Sequence, residues 1–156
     1  MMSPTLQPKV SILLLNWNGI DFTRHCLKAL LKTNYNNCEI ILIDNGSQNN
    51  EGKLLEKEFS SKNNHEKNGK FIRVIQHPFN LGYAEGMNYA YKYATGKYIM
   101  FVNNDMDFDK NWLSPLVAVL EKDKKIGACQ PKLISIVNKK NFDYASAAGG
   151  FVDIFG

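Results

Sequence analysis

Cysteine is scarce in this chain, and what there is lies scattered. Cys26, Cys38 and Cys129 are odd in number, with no CxxC pair and no accompanying histidine pattern. That excludes a disulfide framework, argues against a zinc site, and leaves the thiols as small core residues. Long hydrophobic runs are missing too: nowhere do about 18 apolar residues stand together, the length a helix needs to cross a bilayer. The opening MMSPTLQPKV lacks the basic stretch and apolar run of a secretory signal. A soluble protein in a reducing, cytoplasmic setting is expected. Positive charge is not concentrated either. The net charge of +4 is carried by dispersed lysines such as Lys53, Lys57, Lys62, Lys67 and Lys70. This reads as a solvated surface that tolerates an anionic ligand or anionic headgroups, with no nucleic-acid face. No Ser-His-Asp or Cys-His arrangement suggests itself. His25 and His65 read as surface residues, and His77, before Pro78, as a turn residue.

What remains is ordinary globular material: 156 residues, 44% hydrophobic and 22% charged, with no internal repeat. Length and composition fit one domain with a single sizeable core. The run from Val10 to Leu15 is apolar except for Ser11 and predicts a buried strand. Phe22, Cys26, Leu27, Leu30 and Leu31 then follow at the spacing of a helix with one buried face, which Asn18 or Asp21 could cap. Ile40 to Ile43 repeats the strand signal and ends in Asp44-Asn45-Gly46, a turn former. A lysine-rich helix over 51–59 and a polar surface loop, SSKNNHEKNGK, lead to a third strand, FIRVIQH. After Pro78, the residues Tyr83, Met87, Ala90, Tyr91 and Ala94 predict a helix that Gly96 stops. Strand four covers 97–102, and a helix near 112–122 accepts Pro115 in its first turn. The stretch IGACQPKLISI looks like another strand. Strands alternating with long helical crossovers predict an α/β fold with a mostly parallel sheet flanked by helices. The glycine-rich close, ASAAGGFVDIFG, reads as the cut edge of a longer protein.

Open parallel sheets bind ligands at the carboxyl ends of their strands. Three of those ends are short and polar here: Asn16-Trp17-Asn18-Gly19, Asp44-Asn45-Gly46-Ser47, and Asn103-Asn104-Asp105-Met106-Asp107. Turn formation explains any one of them; the set on one edge argues for a site. Asp44 could accept hydrogen bonds from a base or ribose, or could serve as a helix cap or Asx turn. If strand four continues, Asn103, Asp105 and Asp107 project their oxygens to one face. Oxygen-only ligands of that kind suit magnesium or manganese, which would hold a diphosphate. Asp109 reads as the cap of the next helix. Asn80, Gly82 and Gly86 open a helix whose amino end could face an anion, without matching a phosphate loop or a GxGxxG turn. Trp17 and Tyr83 could stack on a base or sugar, or belong to the core.

Taken in order, VSILLLNWNG, EIILIDNGSQNN, NLGYAEGMNYAYKYATGKYIMFVNND and GACQPKLIS resemble the amino-terminal half of family 2 glycosyltransferases, of the GT-A fold. The closest likeness is to the rhamnosyltransferase-type branch. The resemblance runs from about Lys9 to the end, leaving 1–8 as an extension and 9–156 as a donor-binding domain without its acceptor part. It implies inverting transfer of a sugar from a nucleotide-diphosphate donor to a saccharide or lipid-linked saccharide acceptor, in bacterial polysaccharide biosynthesis. Leu15, Asn16, Asn18, Asp44 and Asn45 would line the nucleoside pocket, while Gly82, Tyr83 and Ala84 would pass near the nucleotide. Asn103, Asn104 and Asp105 would also bind the donor, and Asp105, helped by Asp107, would hold a Mn or Mg ion bridging the diphosphate. Asn103 departs from the first aspartate of the family's D-x-D. The catalytic base is expected beyond residue 156. Lipid-linked acceptors leave room for peripheral association of the full-length protein with the inner face of a membrane. Two other readings compete: a sugar nucleotidyltransferase, whose glycine-rich loop with Arg and Lys is not supplied by NWNG, and a noncatalytic nucleotide- or polysaccharide-binding module.

Overall fold

The computed structural model describes residues 7–60 and 70–135. The predicted loop therefore falls largely, and the glycine-rich close entirely, outside the described residues. The chain divides into two compact units, one through Asn111 and one from Trp112. The first contains β1 (Val10–Asn16), α1 (Ile20–Leu30), β2 (Cys38–Asn45), α2 (Glu51–Phe59), β3 (Phe71–His77), α3 (Tyr83–Tyr91) and β4 (Tyr98–Val102). The second contains α4 (Leu113–Lys122), with Leu113 and Val117 buried and Pro115 in the first turn. Residues 126–135 form no strand; Ile134 alone makes a bridge, correcting the expectation from IGACQPKLISI. No helix among the described residues is long and apolar enough to cross a membrane.

All four strands are parallel, in the order β3-β2-β1-β4. Every residue of β2 is buried, as are all but Leu15 of β1, because helices cover both faces. The pleat sorts their side chains. Leu13, Ile41 and Ile43 meet Met87 and Ala90 of α3, with Leu15 packed beside them. Ile12, Leu14, Ile40 and Leu42, fully buried, point the other way, toward the side of α1 and α2. Arg24 of α1 reaches Glu58 of α2 at 2.9 Å. After β3 the chain crosses to the opposite face through α3 and returns beside β1 as β4. The topological switch point therefore lies between β1 and β4, the place where open parallel sheets bind their ligands.

Several local expectations change. Neither Asn18 nor Asp21 caps α1, whose flanking residue is Gly19. Phe22 is 65% exposed, and the buried face is Thr23, Cys26, Leu27 and Leu30. On α3, Tyr83 and Tyr91 face outward, while Gly86, Met87 and Ala90 are buried. Gly96 does not end the helix; it lets the turn before β4 press on β1, where a Cβ would lie 2.5 Å from the Ser11 nitrogen. Lys70 is not a surface lysine. It is buried, and its ammonium donates to the carbonyls of Leu31 (3.3 Å) and Thr33 (2.8 Å), which follow α1.

At the amino edge of the sheet, Glu39 is buried among donors. Its Oε1 accepts from Ser11 Oγ at 2.6 Å and from the Thr95 nitrogen at 2.8 Å, and its Oε2 pairs with Lys9 Nζ at 2.8 Å. Burial alone would raise this carboxyl's pKa, but the bonds from Lys9, Ser11 and Thr95 outweigh it and hold the pKa below the ordinary value.

Candidate functional site

Because the strands are parallel, the polar ends of β1, β2 and β4 emerge on one edge. The pleat gives them two different surroundings. Asn16 pairs with Asp44 in register, and both point to the α1/α2 side. Asn16 is wholly buried and its amide is fully engaged. Nδ2 lies 2.8 Å from Asp44 Oδ1, 3.0 Å from Ser47 Oγ and 3.0 Å from Glu51 Oε2, so two protons serve three acceptors. Oδ1 accepts from Thr23 Oγ1 at 2.6 Å. The neighbouring backbone is tied the same way: the Gly19 nitrogen donates to Glu51, the Asn18 nitrogen to Ser47, and the Gln48 nitrogen to Asn18 Oδ1 at 2.8 Å. Asn18 sits at φ 49°, a left-handed turn that asparagine tolerates.

Asn45 points to the α3 side. It too is wholly buried, donating to Asn80 Oδ1 at 2.8 Å and to the Gly82 carbonyl at 3.1 Å, and accepting from the Leu81 nitrogen at 3.1 Å. Asn16 and Asn45, expected to line a ligand pocket, are wholly buried, and their side chains hold the loops together. Gly46 explains how close those loops come. At φ 74°, a Cβ there would lie 2.4 Å from the carbonyl carbon of Phe79. Gly82 (φ 77°), Tyr83 and Ala84 are exposed at the start of α3. Trp17 and Tyr83 are 52% and 53% exposed, so neither is a core residue. Burial of part of the Tyr83 side chain raises its hydroxyl pKa. Between the ends of β2 and β3 lies a cleft of about 350 Å³, lined by Asp44, Gly46, Ser47, Asn50, Gly52, Gln76, His77 and Pro78. Asp44 is 5% exposed and backed by Gly52, where a Cβ would come within 2.5 Å of its Oδ2. His77 takes the turn role expected of it, with Nδ1 2.7 Å from the Phe79 carbonyl oxygen.

β4 stops at Val102, and the chain turns at Asn104 and Asp105, so Asn103, Asp105 and Asp107 do not share one face of a continuing strand. All three are exposed. Asn104 is half-buried and donates to Thr23 Oγ1 at 2.9 Å. Asp107 accepts from the Phe108 nitrogen and lies 3.9 Å from His25 Nε2. Asp109 closes a turn with the Asn111 nitrogen at 2.8 Å and does not cap α4, which begins at Leu113. Beneath the turn, Cys26 Sγ lies 3.6 Å from the Asn103 carbonyl oxygen. Burial pushes its thiol up to about 12, and the Asp105 and Asp107 charges add to that.

Among the described residues, the Asp105 carboxylate has no hydrogen-bond or ion-pair partner, and no three acids, histidines or cysteines converge on one point. An all-protein metal cage is thus not what this turn offers. One or two exposed carboxylates do fit a hard cation that takes its other ligands from water and a diphosphate, the common arrangement for Mg²⁺. Sequence reasoning missed Thr23 and Glu51 as parts of this edge. Thr23 carried one signal: a hydroxyl on the apolar face of α1 must find a partner.

Known proteins resemble this chain in sequence and in fold. A family model described as glycosyl transferase family 2 matches residues 11–151. An uncharacterized glycosyltransferase of Haemophilus influenzae is 29% identical over 133 residues, 85% of this chain and 39% of that protein. The poly-β-1,6-N-acetyl-D-glucosamine synthase of Staphylococcus epidermidis is 27% identical over 146 residues, 90% of this chain and 34% of the synthase. The mannosyltransferase PcManGT of Pyrobaculum calidifontis, solved with GDP-Man and Mn²⁺, superposes with a TM-score of 0.63 at 17% identity, over 83% of this chain and 35% of that one. The last likeness establishes the fold: a GT-A type, Rossmann-like α/β arrangement. The chain spans less than two fifths of the length of the first curated relatives it matches, 39%, 37% and 9%.

Proposed function

The chain belongs to glycosyl transferase family 2, and on that premise we propose that it is the donor-binding part of an enzyme moving a sugar, with inversion, from a nucleoside diphosphate to an acceptor hydroxyl. The observation that carries this reading is the convergence of three polar strand ends, tied together at Asn16 and Thr23, beside an exposed Asp105 that has no partner among the described residues. Residues 9–156 form the donor domain and 1–8 an extension. Leu15, Asn18 and Asp44 line the nucleoside pocket, held in place by Asn16 and Asn45 from behind. Gly82, Tyr83 and Ala84 pass near the nucleotide, and Asn103 and Asn104 face the diphosphate. Asp105, with Asp107 as a supplement, holds a Mn or Mg ion; the mannosyltransferase of Pyrobaculum calidifontis, solved with Mn²⁺ and GDP-Man, supports this. Such an ion, when bound, stabilises negative charge on the departing diphosphate.

The proton of the attacking hydroxyl goes to a carboxylate beyond residue 156. The acceptor is a saccharide or lipid-linked saccharide in bacterial polysaccharide biosynthesis, a role supported by the name of the staphylococcal synthase. With a lipid-linked acceptor, the full-length protein works at the inner face of a membrane. Asn103, at the first position of the family's D-x-D, favours the rhamnosyltransferase-like branch. Calorimetric titration of the chain with UDP, dTDP and GDP, each with and without Mn²⁺ or Mg²⁺, tests the proposal. Binding of one diphosphate that strengthens with the cation is expected. No binding of any of them under either condition sinks it.

A further inference from the structure

The site described above contains a hydrogen-bond chain whose direction is fixed. Asn104 Nδ2 can only donate, and it points at Thr23 Oγ1, 2.9 Å away. The single hydroxyl proton of Thr23 then goes to Asn16 Oδ1 at 2.6 Å. Asn16 Nδ2, in turn, donates toward Asp44 and Glu51. Each amide and hydroxyl dipole aligns with the next, so each bond polarises its neighbour. One end of this chain is the buried acid at the end of β2; the other is the turn that carries Asp105.

Among the described residues the turn has few other anchors, the long contact from Cys26 Sγ to the Asn103 carbonyl oxygen being one. β4 has ended at Val102, and Asn103, Asp105 and Asp107 are exposed. Asn104, beside Asp105, is half-buried, and its side-chain amide donates to Thr23. Thr23 itself is wholly buried on the first turn of α1, its position set by Cys26, Leu27 and Leu30 on the same buried face.

We propose that Thr23 is a positioning residue: through Asn104 it holds the Asn104–Asp105 turn at the distance from Asp44 that one donor molecule needs to meet both acids. This rests on the reading of Asp105 as the cation's ligand. The hydroxyl is what matters, so Thr23→Val, which keeps the shape, should separate positioning from packing, and Thr23→Ser should restore it.

Two measurements on the chain decide the matter. Without ligand, amide hydrogen exchange at residues 103–106 should quicken about fivefold in Thr23→Val, the equivalent of one net buried hydrogen bond. Exchange in β1 and β2 should hold at the wild-type rate, as should residues 103–106 in Thr23→Ser. With UDP or GDP as probe, whichever binds the wild type, Thr23→Val should need about fivefold more Mn²⁺ for half-maximal enhancement of binding, with metal-free affinity unchanged. Asn104→Ala, which leaves α1 untouched, should reproduce the faster exchange, and adding it to Thr23→Val should not quicken that exchange further. Uniformly faster exchange, equal losses with and without Mn²⁺, or additive effects of the two substitutions would overturn the proposal. Should the wild type bind no diphosphate, the donor-site reading fails by itself. The exchange measurement then still decides whether Thr23 holds the turn.

Discussion

Removing the Asn16 side chain should cost far more than its size suggests. Asn16→Ala deletes three heavy atoms at a wholly buried position and leaves Asp44 Oδ1, Glu51 Oε2 and the Thr23 hydroxyl without the partner they share. Each buried polar group left unpaired costs about 1–3 kcal/mol, more if charged. Ser47 and the Gly19 nitrogen, which also touch Asn16 or Glu51, recover part of that. A net loss of about 3 kcal/mol is expected, a substantial share of the roughly 5–15 kcal/mol that holds a domain folded. Urea denaturation followed by circular dichroism should show the midpoint fall with an unchanged slope. Asn16→Asp is the sharper variant, because it keeps the shape. It replaces a shared donor with a third carboxylate oxygen beside Asp44 and Glu51, and should destabilise at pH 7 at least as much as Asn16→Ala. A loss under about 1 kcal/mol for both variants would refute the assignment of Asn16 as the strut between β1 and β2.

Two further outcomes follow from groups away from this edge. The Glu39 pKa is lowered in the folded chain, so its stabilisation is complete above the ordinary value of 4.5 and is lost as pH falls through the folded value. Acid unfolding should therefore be shallower in Glu39→Gln than in the wild type below that pH, and identical acid profiles would contradict it. Burial raises the Cys26 and Cys38 thiols to about 12 and about 11, whereas Cys129 is half-buried. A thiol reagent at pH 8 should modify Cys129 first in the native chain, with the other two reacting only on unfolding.

The strands were legible because each is a compact apolar run ended by turn residues; FIRVIQH coincides with β3 without adjustment. Helical faces were less so. Phe22 and Tyr91 share the spacing of their buried neighbours yet lie outside, because periodicity marks a stripe without fixing its edges. IGACQPKLISI marks no strand over its described residues, where Ile134 alone makes a bridge, because a short apolar run carries the same signal whether or not it pairs. At the site, the three loops could be found from asparagine, aspartate and glycine after strands. Which of those residues face outward could not. Asn16 and Asn45 look like ligand-binding side chains in sequence, but the pleat turns both inward, where cross-loop bonds occupy them. Thr23 and Glu51 stayed hidden because their partners lie far along the chain or on a separate element.

The central claim is that Asp105 presents a cation to a diphosphate donor at this edge. Titrating the diphosphate that the chain binds, across a range of Mn²⁺ concentrations, in the wild type and in Asp105→Ala, tests it most directly. The account predicts that Mn²⁺ tightens binding in the wild type and has no effect in the variant, with both affinities equal when the metal is absent. Equal enhancement by Mn²⁺ in the two proteins would contradict it.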